Sequence, residues 1–197
     1  QLAAFVCNGL LLSSIRANPA LHSKYLLLSL REWAKSQQFR ANAEKTFCWV
    51  AQLPQLRRRY CMDTRMLDAL TREVVGTPER PVLRSVHPGM LTAALAVGLC
   101  HDCARLDQEQ LGRLGMEAVA YSHGEPETFL SGAFLAVALS RILQQPSQPL
   151  IPLYEQVCQD LEQQYSKDWP QIEKVTKLVR QAISLTRDVE LTPLAAM

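Results

Sequence analysis

The chain has 197 residues, 48% of them hydrophobic and 20% charged, with 21 Lys and Arg set against 19 Asp and Glu. That size and balance suit one globular domain with a sizeable core. A net charge of +2 excludes an electrostatically driven nucleic-acid binder, whose basic residues would gather on one face.

The first element runs from Leu2 to Ile15 and is apolar on most sides, which predicts a helix buried on more than one face. Asn18-Pro19 breaks it, and a second helix follows over about 20–36 with Leu26, Leu30 and Trp33 at helical spacing. Phe47, Trp49 and Val50 form a short third segment that ends near Pro54. The tight basic cluster Arg57, Arg58 and Arg59 reads as a solvated loop or helix end. Asp63 caps a helix over about 64–75, stopped by Gly76-Thr77-Pro78. Residues 80–88 are irregular, because Pro81 and Pro88 exclude a helix interior.

A helix over about 90–100 comes next. Asp107 with Gln110 has the spacing of a capping box, and predicts a helix that continues to about Tyr121. Pro126 or Glu127 opens another, with Phe129, Ala133, Ala136, Val137, Ser140 and Leu143 along it. Residues 146–152 read as a linker, followed by helices over about 153–165 and 170–185. In the latter, Asp168 or Trp169 is the cap and Pro170 lies in the first turn. No alternating strand pattern and no persistent heptad occurs, so the class is all-α, a compact multi-helix array in a single domain over 1–197.

Cys7, Cys48, Cys61, Cys100, Cys103 and Cys158 are even in number, yet a helix-rich chain of this length needs no disulfide staples. We read a reducing, cytoplasmic setting. No run reaches the roughly 18 apolar residues of a transmembrane helix, which predicts no membrane association. The amphipathic pattern begins directly at Gln1 with no residues before it, which reads as a cut edge.

Two segments carry candidate chemistry. Cys100-His101-Asp102-Cys103 has part of a zinc pattern but no second ligand pair at a fitting distance. It reads as a helix end whose histidine complements the dipole. Ser122-His123-Gly124-Glu125-Pro126 is a turn between two helices, with Gly for an unusual backbone angle and Pro to start the next helix. His123 there is either a C-terminal cap or a ligand contact. No arrangement of nucleophile and base stands out.

Three segments in order resemble the ADP-ribosylglycohydrolase family. Gln1-Leu2-Ala3 and the apolar helix, with Tyr25 and Trp33 beyond, resemble the stretch that follows that family's T-D-D-T motif. His87 to Leu99 (HPGMLTAALAVGL) resembles its loop and helix G-N-G-x-x-M-R-x-x-P-x-G-L. Ser122 to Pro126, with Gly132-Ala133 after it, resembles its T-H-x-x-P turn and following G-A helix. The resemblance implies an all-α fold around a cleft that holds one or two magnesium or manganese ions. It also implies hydrolysis of the glycosidic link between ADP-ribose and a modified side chain, so the partner is an ADP-ribosylated protein or an ADP-ribose derivative. Carried over by position, Gly89 offers backbone N–H to the diphosphate, His123 contacts ADP-ribose, and Phe129 is an aromatic beside the ligand.

The departures carry equal weight. The family's acidic metal ligands, T-D-D-T near the start and D-x-D-T near the end, have no counterpart, with Asp188, Glu190 and Thr192 only a faint echo. Pro88 stands for the family's Asn, Thr92 and Ala93 for Met and Arg, and Ala96 for Pro. No catalytic and no metal-binding residue is assigned, and this chain is expected to be inactive by itself. The alternatives are a non-catalytic helical scaffold that binds a nucleotide or a protein, and an interaction module presenting an amphipathic groove.

Overall fold

The computed structural model describes residues 1–16, 18–38, 46–56, 63–102 and 105–188. Among these are eight α-helices and no strand: α1 (Leu2–Ile15), α2 (His22–Gln38), α3 (Thr64–Thr71), α4 (Leu91–Leu99), α5 (Gln108–Ala120), α6 (Pro126–Gln144), α7 (Leu150–Tyr165) and α8 (Ile172–Asp188). Arg57, Arg58, Arg59, Cys61 and Cys103, and the echo at 189–192, lie outside the described residues.

The expected helices form, and their ends follow local chemistry. Asp63 accepts the Arg65 N–H at 2.9 Å at the start of α3. Asp107 and Gln110 close the reciprocal capping box of α5. α3 ends at Thr71, short of the expected Val75, because its last carbonyls have better partners than another turn. Arg31 on α2 donates to the carbonyls of Leu70, Arg72 and Glu73 at 3.3, 2.7 and 3.0 Å, and Val74 beyond them is exposed and adds nothing to the core. α7 begins at Leu150, inside the expected linker. Pro152 falls in its first turn, where a missing N–H costs no helical hydrogen bond.

α6 runs through the middle, packed against α4, α5, α7 and α8. α5 and α6 are an antiparallel pair in close contact: a Cβ on Gly115 would sit 2.7 Å from the Gly132 carbonyl, and one on Gly132 would sit 2.6 Å from the Gly115 carbonyl. α4 is similarly close, with the Ala136 carbonyl 2.6 Å from where a Gly98 Cβ would stand. α1 and α2 meet at Gly9, whose missing side chain leaves room for Ser29 Oγ. Phe5, Leu10, Leu26, Leu30, Trp33 and Leu70 fill the core on that side. α8 is fastened to α7 by Arg180, which donates to both oxygens of Glu162 at 2.6 and 3.0 Å.

One expectation needs correction. α6 is long and apolar enough, by length and composition, to cross a membrane, with a mean hydropathy of 1.3 over its best window. Half of that window is buried against neighbouring helices, as in the central helix of a globular bundle.

Candidate functional site

The turn between α5 and α6 carries His123. Its N–H donates to the Val119 carbonyl at 2.8 Å, which ends α5 in helical style. The side chain is fully buried. Its Nδ1 lies 2.8 Å from Ser122 Oγ, and its Nε2 is buried with no hydrogen-bond partner. An unsatisfied buried nitrogen costs about 1–3 kcal/mol, so the position is structurally expensive unless something meets it. Burial holds the imidazole below its ordinary pKa; His87 pushes in the same direction and Asp63 opposes. His123 is therefore a neutral hydrogen-bonding group, not a cation.

Gly124 is not there for a left-handed backbone: among the described residues no glycine has a positive φ. It is there for space. A Cβ would fall 2.1 Å from the Cβ of Pro81, and the Gly124 N–H donates to the Leu83 carbonyl at 2.8 Å. Gly76 makes a second close approach, 2.4 Å between its would-be Cβ and the Ala120 carbonyl. These two contacts pin the irregular stretch 76–88 across the end of α5, and its continuation carries His87 to His123. The two imidazole rings lie 6.2 Å apart, tilted by 33°.

His87 also closes the next turn. Its Nδ1 accepts the Gly89 N–H at 3.1 Å, at the start of the short turn Pro88–Met90 that leads into α4. The Met66 sulfur lies 3.5 Å from where a Gly89 Cβ would stand. Gly89 and His123 are thus brought to one place by His87, to which the family resemblance gives no role. Phe129 belongs to a different environment. It is 1% exposed and its ring meets Trp169 edge-on at 6.0 Å, and Tyr165 meets the same indole at 6.0 Å.

A cleft of about 530 Å³ lies elsewhere, lined by Glu79, Glu109, Arg113, Tyr165, Asp168 and Trp169 among others, and none of Gly89, His123 and Phe129 lines it. Its cation is engaged internally: Arg113 pairs with Glu79 at 2.7 Å and Glu117 at 3.0 Å and lies 6.0 Å from the Trp169 ring.

His101 behaves as a helix end, its Nδ1 3.1 Å from the Gly98 carbonyl. Among the described residues no group of three or more His, Cys, Asp or Glu side chains is placed to hold a metal ion. Hard divalent cations take oxygen ligands from several carboxylates, so these residues do not fit magnesium or manganese.

A family model described as ADP-ribosylglycohydrolase matches residues 1–196. The chain belongs to the ADP-ribosylglycohydrolase family. No curated protein and no solved structure matches it. Membership agrees with the all-helical array among the described residues.

Proposed function

We propose that this chain is the nucleotide-recognising helical core of an ADP-ribosylglycohydrolase, and that the ligand it takes is the ADP-ribose of a modified protein or an ADP-ribose derivative. The observation that carries this is His123: fully buried, neutral, and holding an unpartnered Nε2 in a turn that matches the family pattern. With Ser122 donating to Nδ1, Nε2 bears the proton and donates to a ribose or phosphate oxygen; in the other tautomer it accepts from a ribose hydroxyl. Either bond would offset the cost of the orphan nitrogen.

The family implies a divalent ion, whose chemistry when bound would be that of a Lewis acid. The described residues do not fit that ion, so what they contribute is binding and orientation. His87 would gate the second contact: with its Nδ1 on Gly89, the amide is unavailable to a diphosphate until the imidazole rotates away.

That same engagement, with Thr92 and Ala93 in place of the family's Met and Arg, favours a second reading, a non-catalytic member that binds the nucleotide without cleaving it. The two separate in one experiment: a protein carrying labelled ADP-ribose is incubated with the chain and magnesium or manganese, and both released and chain-bound label are followed. Released label supports hydrolysis. Bound label without release supports the scaffold, and neither outcome rejects both readings.

A further inference from the structure

Four cysteines fall among the described residues, none of them in a disulfide: Cys7, Cys48, Cys100 and Cys158. Cys48 and Cys158 are buried, and burial pushes each thiol up to about 11, which makes them inert at neutral pH. Cys7 differs. It is half-buried on α1 where that helix packs on α4, and its Sγ–H donates to the Ala96 carbonyl at 3.9 Å. The same carbonyl accepts the Cys100 N–H at 3.2 Å. Ala96 and Cys100 are one helical turn apart, so the Cys7 sulfur lies over the last turn of α4, within hydrogen-bonding reach of the Cys100 thiol. That bond draws the Cys7 pKa down and outweighs the burial that would raise it.

We propose that Cys7 and Cys100 are a reversible thiol–disulfide pair that staples α1 to α4 when the protein meets a hydroperoxide. The Cys7 thiolate attacks one peroxide oxygen; the O–O bond breaks, and Cys7 becomes a sulfenic acid as one water leaves. The Cys100 sulfur then attacks the Cys7 sulfur, the S–O bond breaks, and a second water carries off the proton. Two thiols are oxidised and one peroxide is reduced to water. The staple holds the far end of α4 from the His87–Gly89 turn, the helix end that His101 already ties to Gly98.

The test uses the full chain treated with hydrogen peroxide, then unfolded, alkylated and digested without reductant for peptide mapping. The expected result is a loss of two thiols per chain, a cross-linked peptide pair containing Cys7 and Cys100, and recovery of both thiols with dithiothreitol. Cys48 and Cys158 remain alkylated throughout. In parallel, Cys103→Ser keeps the cross-link and Cys7→Ser loses it; the wild-type map decides by itself should Cys7→Ser fail to fold. A Cys100–Cys103 cross-link in its place overturns the proposal. So does a Cys7 that ends as sulfinic acid with Cys100 still alkylated.

Discussion

His87 Nδ1 accepts the Gly89 N–H at 3.1 Å, so the amide through which the family pattern would receive a diphosphate is held by the chain itself. Removing the imidazole frees that donor. His87→Ala is expected to tighten ADP-ribose binding by about fivefold, the equivalent of one hydrogen bond of about 1 kcal/mol, as read by calorimetry. An unchanged or weaker affinity would take Gly89 out of the site.

The buried histidines make stability depend on pH. His123 and His22 are both held below the ordinary value of 6.5, chiefly by burial. Above that value both are neutral whether folded or unfolded, and pH has no effect through them. As pH falls through it the unfolded chain takes up protons that the folded chain resists, so stability is lost with acidification. Thermal unfolding followed from pH 8 down to about 5 should show a falling Tm, with a shallower slope in His123→Asn. An equally steep slope in that variant would mean that His123 takes no part.

Gly124→Ala is expected to destabilise the fold by about 1–3 kcal/mol, the usual range for forced overpacking, because the new Cβ would fall 2.1 Å from Pro81. The stretch 76–88 would have to lift, and His87 with it. Denaturant unfolding measures the loss. A Gly124→Ala protein as stable as the parent would mean that this stretch is not pinned at Pro81.

Arg31→Met removes the donors that serve three carbonyls at and beyond the end of α3. Those groups are largely exposed and water replaces part of the loss, so a cost of about 1 kcal/mol is expected. Asp63→Ala, which removes the cap at the other end of the same short helix, should cost a similar amount. Denaturant titration of both variants and of the double variant checks each value.

The parts of the fold that were legible in the sequence are those set by neighbours along the chain. The capping box of Asp107 and Gln110, the Asp63 cap and Pro126 at the start of α6 all depend on spacings of a few residues, and each forms. What was not legible depends on distant partners. Arg31 shortens α3 from about forty residues away, and Gly124 is required by Pro81, which no local pattern links to it. The histidine turn was visible as a motif, but not the orphan Nε2, nor the part of His87 in joining Gly89 to His123. Phe129 was legible in a second way: besides its place after the turn, its spacing with Ala133, Ala136 and Val137 matches the buried face of α6.

The most direct test of the central claim is calorimetric titration of ADP-ribose into the intact chain and into His123→Asn, with folding of both checked by thermal unfolding. The account requires saturable one-to-one binding by the parent and at least a tenfold weaker affinity, about 1.4 kcal/mol, in a variant that remains folded. Absence of heat from the parent, or equal affinity in both proteins, would contradict it.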